Sequence, residues 1–303
     1  MTPPSLSAAF DRQLDLLSRR LQILPDKPQE TPAATLRVLW HLAAGQALSV
    51  EAAEAVPLAE LDTASADRLD ALIEQRASGV PLAHLSGRQR FMGLDMLAGK
   101  EALIPRHETE LLGETGIGLL REVIAAGVAA PRVMDICTGS GNLALALAHH
   151  VPTARVFASD LSEEAVALAG RNAVHLGLND RVQFRAGDLL EPFNEAGFHA
   201  SVDVMLCNPP YISSGKVDTL PEEIGAFEPR LAFDGGPLGV RILQRLIREA
   251  PLYLRPGAWL AFEVGLGQGP AVLKRLIASG GFAAQRAVND ARGEMRVIVA
   301  QRA

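Results

Sequence analysis

The sequence predicts an α/β protein: a seven-stranded, mostly parallel sheet in the order 3-2-1-4-5-7-6, preceded by a small N-terminal helical domain and a β-hairpin connector. Three observations carry this prediction. Apolar residues recur at helical spacing through the first eighty or so residues, and from about Glu108 short β-like runs alternate with helical stretches. The last two β-like runs are joined by only a short turn-like segment, Val288 to Glu294. A βα series closed by a hairpin gives a mostly parallel, three-layer sheet with one antiparallel strand.

The helical texture begins with Leu14, Leu16, Leu17, Leu21 and Leu24, continues with Leu36, Val38, Leu39 and Leu42, and ends with Leu69, Leu72 and Ile73. Pro25, Pro28, Pro32 and Pro57 punctuate it, which suggests a bundle of four or five helices over residues 1–81. Residues 82–107 hold Gly87, Gly93 and Gly99 among short apolar stretches and suit a hairpin or extended connector. The second domain is expected over residues 108–303. Its strands are read at Val133 to Ile136, Val156 to Ser159, Val182 to Ala186, Val202 to Cys207, Trp259 to Val264, Phe282 to Ala287 and Met295 to Ala300, with helices between the first five.

Composition narrows the function. The chain has 303 residues, 48% hydrophobic and 21% charged, enough to bury two cores. No apolar run approaches the roughly 18 to 20 residues that span a bilayer, and Met1 to Asp15 does not read as a signal peptide. Two cysteines without a CxxC spacing indicate neither a disulfide framework nor a zinc site, so the expected compartment is the cytoplasm, with no metal. A net charge of −6 argues against a protein that coats nucleic acid, and Arg19-Arg20, Arg88, Arg90, Arg241, Arg245 and Arg248 read as solvated faces.

The chemistry is expected at the strand ends. Asp135-Ile136-Cys137-Thr138-Gly139-Ser140-Gly141 closes the first strand and opens the apolar helix Leu143 to His149; small residues there let backbone approach a ligand and present N–H groups to it. The second strand ends in Asp160, placed to accept two ribose hydroxyls, and Ser162 caps the helix after it. That logic also fits NAD. The glycines fall at 139 and 141 and Ala144 stands three beyond, so the dinucleotide spacing is missing and S-adenosylmethionine is the favoured cofactor. Asp188 and Leu189 end the third strand, suited to an adenine amine and ring face.

The fourth strand ends in Asn208-Pro209-Pro210-Tyr211. Two prolines fix φ and remove two donors, so the Asn208 side-chain oxygen and the Pro209 carbonyl can stand as paired acceptors for one planar NH2 group. Such a nitrogen is a poor nucleophile because its lone pair is delocalised. Gripping both hydrogens while Tyr211 stacks on the plane can draw it toward tetrahedral geometry and aim it at a sulfonium methyl. Glu263 ends the fifth strand, as general base or as a support beneath this loop; His149-His150 read as solvated, since adjacent helical residues point apart.

Over nearly its whole length the chain resembles the peptide chain release factor glutamine methyltransferases, a group of class I, Rossmann-like methyltransferases. The matching stretches are Gly79 to Gly87, Phe91 to Leu94, Leu103 to Glu110, Asp135 to Gly141, Asn208 to Ile212, Leu220 to Ile224, and Glu228-Pro229 through Asp234-Gly235-Gly236. The resemblance implies methylation of the side-chain amide of the glutamine in a Gly-Gly-Gln loop of release factors. It implies cofactor contacts at Cys137 to Gly141, Asp160, Leu189 and Asn208, and a substrate grip at Asn208 to Tyr211. A ribosomal-protein glutamine, or an exocyclic amine of a nucleobase, remains the alternative acceptor. The helical domain is then expected to dock the protein substrate, with a monomer as the working unit and no direct nucleic-acid contact. Cys137 stands where the family usually has Gly, His107 where it has Pro, and Leu189 where an aromatic residue is common.

Overall fold

A computed structural model describes residues 6–303. The first five residues, part of the Met1 to Asp15 start, lie outside the described residues. The N-terminal helices are α1 (Leu6–Ser18), α2 (Pro32–Ala43), α3 (Val50–Glu54), α4 (Thr63–Ala77) and α5 (Leu82–Ser86), the last falling in the segment read as connector. Caps set two of the starts: the Thr31 side chain accepts the Ala34 N–H with Pro32 in the first turn, and Asp62 accepts the Ser65 N–H. Their apolar faces close on one core around Leu17, Leu36, Leu39, Trp40, Leu69 and Ile73.

The hairpin follows as β1 (Arg88–Phe91) and β2 (Leu94–Leu97). Phe91 pairs with Leu94, leaving a two-residue turn of Met92 and Gly93 with φ of 47 and 86. Positive φ at both positions is the turn whose twist matches the strands.

The second domain runs α6 (Glu110–Ala125), β3 (Arg132–Ile136), α7 (Asn142–His150), β4 (Arg155–Asp160), α8 (Glu163–His175), β5 (Val182–Ala186), β6 (Val202–Cys207), α9 (Ser214–Val217), α10 (Glu222–Gly225), α11 (Arg241–Tyr253), β7 (Leu254–Glu263), α12 (Gly269–Ala278), β8 (Phe282–Asn289) and β9 (Met295–Arg302). A 3-10 turn, His107–Thr109, leads into α6. The seven strands lie in the order β5-β4-β3-β6-β7-β9-β8, which is the expected 3-2-1-4-5-7-6. Strands β5 to β7 pair in parallel and β9 runs antiparallel to β7 and β8. Apolar cores on the two faces of the sheet draw on α6 and α7 for one, α11 and α12 for the other.

Two expectations need correction. No α-helix joins β5 to β6; the connection carries only a 3-10 turn, Glu191–Phe193. It must cross from the sheet edge past two strands, and Phe193 and Phe198 anchor it by packing with Phe157 (centroids 5.0 to 6.3 Å apart). Strand β7 begins five residues before Trp259, because a register shift between Val202 and Val204 accommodates Pro256 and Gly257. No described helix is long and apolar enough to cross a membrane.

The order of the sheet places the C-terminal ends of β3, β4, β5, β6 and β7 on one edge, where parallel sheets bind ligands.

Candidate cofactor and acceptor site

Two cavities lie at that edge, of about 170 Å3 and about 140 Å3. The larger is walled by Cys137, Thr138, Gly139, Asp160, Asp188, Leu189 and Asn208 among others. The smaller is walled by Asn208, Pro209, Tyr211, Thr109, Arg106 and Asp26 among others. Asn208, Thr109 and Arg106 belong to both walls.

The loop from β3 to α7 is held by backbone reach. Cys137, Gly139 and Gly141 have φ of 63, 55 and 83, the Thr138 N–H donates to the Ser159 carbonyl (3.0 Å), and the Gly139 N–H donates to Asp160 Oδ2 (2.8 Å). Asp160 Oδ1 accepts the Ser162 N–H (3.0 Å). Burial pushes the Asp160 carboxyl up, and these backbone donors work against it. Asp135 stands beneath the loop instead of in the cavity wall. It is fully buried, accepts from Thr138 Oγ1 (2.6 Å) and the Ala144 N–H (3.1 Å) through one oxygen, and burial pushes it up to about 7. Ser140 is likewise buried behind the loop, while Gly141 caps α7 against Ala169, Leu145 and Phe184.

Asp188 lines the larger cavity, but both its oxygens take Arg245 Nη1 (2.7 and 2.9 Å). Leu189 lines it too, at φ 51. Cys207 ends β6 fully buried beside Cys137; burial and the Cys137 thiol hydrogen-bonded to it push the Cys207 thiol well up. The two cysteines are therefore neighbours, both as free thiols.

Beneath the Asn-Pro-Pro-Tyr loop lies a network that sequence reasoning only touched. Asn208 Nδ2 donates to Thr109 Oγ1 (3.1 Å), Thr109 Oγ1 donates to Glu263 Oε2 (2.9 Å), and the Tyr211 hydroxyl donates to Glu263 Oε1 (2.9 Å). Arg296 from β9 closes it with contacts to Glu263 Oε1 (3.3 Å) and Glu108 Oε2 (3.2 Å). Burial pushes the Glu263 carboxyl up, and Arg296 draws it back; burial beside Glu263 pushes the Tyr211 hydroxyl far up and keeps it neutral. Tyr211 is fixed from behind as well, since Gln268 Nε2 donates to its carbonyl (2.8 Å). Glu263 thus supports the loop. Arg296 carried no signal of its own, for an Arg on a strand is ordinary, while Thr109 lay in the family-matching stretch Leu103 to Glu110 with no role attached to it.

A second network ties the helical domain to the same edge. Glu223 of α10 pairs with Lys27 (2.8 Å) and Arg76 (2.8 Å), Arg76 also with Glu30 (3.1 Å), and Arg106 with Asp26 (2.8 Å) and Glu228 (2.5 Å). Burial pushes Glu223 up, but Lys27 and Arg76 outweigh it and hold the carboxyl below its ordinary value.

A family model described as a methyltransferase small domain matches residues 114–226. The chain is 40% identical over 243 residues to a release factor glutamine methyltransferase of Moorella thermoacetica, covering 80% of this chain and 82% of that one. It is 33% identical over 278 residues to the protein of the same name from Caulobacter vibrioides, covering 91% of each. Among solved structures, the human methyltransferase 10 domain containing protein matches with TM-score 0.51 at 20% identity over 69% of this chain and 88% of that one, a likeness of fold alone. On the length and identity of these matches, the chain belongs to the release factor glutamine methyltransferase family.

Proposed function

We propose that this protein transfers a methyl group from S-adenosylmethionine to the side-chain amide nitrogen of the glutamine in the Gly-Gly-Gln loop of peptide chain release factors. The observation that carries the reading is Asn208, which stands in the walls of both cavities and so faces donor and acceptor at once. The larger cavity fits the donor: the Asp160 carboxylate is in its wall, a Cβ on Gly139 would meet no protein atom within 4 Å, and Leu161, beside Asp160, is 55% exposed. Cys137, Thr138, Gly139, Asp160, Asp188 and Leu189 would hold it there, with Asp135, Ser140 and Gly141 shaping the loop from behind. When bound, S-adenosylmethionine supplies an electrophilic methyl on a sulfonium.

The chain's own residues do the rest. Asn208 Oδ1 and the Pro209 carbonyl take the two amide hydrogens, Pro210 keeps the turn rigid, and Tyr211 packs on the amide plane. This geometry raises the nitrogen's reactivity by positioning, and its proton leaves once the nitrogen is cationic. Residues 1–81 act as the substrate-docking domain, 82–107 as connector and 108–303 as methyltransferase domain; Asp26, in the wall of the acceptor cavity, supports the docking role. The reading includes a cytoplasmic monomer without direct nucleic-acid contact, supported by the net charge of −6.

The test is incubation with labelled S-adenosylmethionine and a cell extract supplemented with purified release factor, then digestion and mass mapping of the label. Label on the Gly-Gly-Gln glutamine is expected; label confined to a ribosomal protein or a nucleobase overturns the proposal.

A further inference from the structure

We infer that Thr109 and Glu263 are positioning residues that fix which end of the Asn208 side-chain amide faces the acceptor nitrogen, an inference that rests on the proposed amide-methylating reaction. An asparagine amide can turn over, exchanging oxygen for NH2 with almost no change in shape. Only one orientation can accept hydrogens from an incoming amide. The other would present donors to donors.

The hydrogen-bond chain removes the ambiguity. Glu263 has three donors aimed at it: the Tyr211 hydroxyl and Arg296 on Oε1, and Thr109 on Oε2. A carboxylate can only accept, so the Thr109 hydroxyl spends its one hydrogen on Glu263 and has only lone pairs left for Asn208. Asn208 must then turn its NH2 to Thr109, as the 3.1 Å contact shows, and its oxygen to the cavities. Glu263 is 2% and Thr109 2% exposed, so water does not compete for these bonds. Both residues act through Asn208.

The experiment compares the wild type with Thr109→Val, Thr109→Ser and Glu263→Gln, measuring methylation of purified release factor and calorimetric affinity for S-adenosylmethionine. Valine keeps the shape of threonine and loses the hydroxyl, so kcat should fall about tenfold or more while KM and cofactor affinity stay within about threefold. Thr109→Ser should restore kcat to within about threefold of wild type. In Glu263→Gln the single acceptor oxygen is claimed by Tyr211 and Arg296, which leaves an NH2 against Thr109, turns its hydroxyl toward Asn208 and inverts the amide. The same loss confined to kcat is expected.

Thr109→Val at wild-type kcat overturns the inference. So does a loss spread equally over kcat, KM and cofactor affinity that Thr109→Ser does not rescue, since that is the pattern of a general collapse. If the wild type itself fails to label release factor, the proposed function falls and this inference with it; a working wild type beside a fully active Thr109→Val removes the inference alone.

Discussion

Replacing Gly239 by alanine should damage the site from behind, through a contact that no side chain makes. A Cβ at Gly239 would stand 2.2 Å from the Tyr211 carbonyl oxygen, 3.0 Å from its carbon and 2.9 Å from Gln268 Nε2, at a φ of 68. The left-handed conformation alone costs an alanine about 1 kcal/mol. Backbone cannot yield as a flexible side chain can, so Tyr211 must shift and its 2.8 Å bond from Gln268 is strained or lost, roughly another 1 kcal/mol. With the residual crowding, about 3 kcal/mol of stability is at stake, and a displaced Tyr211 should lower kcat roughly tenfold or more. Gly280→Ala is the control: its φ is 70, yet a Cβ there meets nothing within 4 Å. It should lose only about 1 kcal/mol, with kcat unchanged. Urea denaturation and methylation of purified release factor measure both. Equal stability losses in the two variants, with equal turnover, would refute the claim that close approach to the Tyr211 carbonyl shapes the site.

Asn208→Ala should leave cofactor affinity within about tenfold and lower turnover roughly 100-fold, because it removes the group that orients the acceptor; equal losses of binding and turnover would contradict this. Asp160→Ala should weaken cofactor binding by about tenfold or more, each lost hydrogen bond to a charged acceptor being worth roughly 1.5 to 3 kcal/mol. Unchanged calorimetric affinity would remove Asp160 from the site. Asp135, pushed up to about 7 by burial, gives a pH dependence. Its folded value lies above its unfolded one, so its contribution to stability is whole below about 3.9 and is lost as pH rises through about 7. Asp135→Asn keeps an acceptor for Thr138 and Ala144 and cannot ionise, so its melting temperature should fall less between pH 5 and 8 than that of wild type, by roughly one proton's linkage. Parallel melting curves for the two would eliminate Asp135 as the source.

Much of the fold, and the placing of several strand-end residues around one cavity, was legible because the signals are local. The loop Cys137 to Gly141, Asp160 and Asn208 each end a strand whose apolar run is contiguous in sequence, so strand order alone carries them to one edge. The supports beneath them were not legible in the same way. Thr109 meets Glu263 across 154 positions and Asn208 across 99, and no periodicity links them. The β5 to β6 connection, expected to be helical, departs from that expectation for a related reason: its aromatic anchors Phe193 and Phe198 act through Phe157, a partner distant in sequence on β4. Nor does the sequence separate the solvated charges of the helical domain from its buried ones: Lys27, Glu30 and Arg76 are 3%, 3% and 2% exposed. Sequence shows a charge; only the fold shows its partner.

Those buried charges bear on how the two halves of the molecule work together. Two carboxylates from the segment after Asn-Pro-Pro-Tyr, Glu223 and Glu228, meet Lys27 and Arg76 of the helical domain and Arg106 of the connector, and Glu228 also accepts the Ile104 N–H (2.9 Å). Buried ion pairs add little net stability, because desolvation offsets attraction, but breaking one partner costs several kcal/mol. Such a contact is therefore intolerant of sliding in a way an apolar face is not. Arg106 stands in the walls of both cavities while it holds Asp26 and Glu228, so a displacement of the helical domain would pull on a residue that borders both cavities. The helical domain is in this way fixed in register with the segment that carries the Asn-Pro-Pro-Tyr loop. Glu223 and Glu228, each in a family-matching stretch, then have a physical reason, since both carry ion pairs through which that register is held.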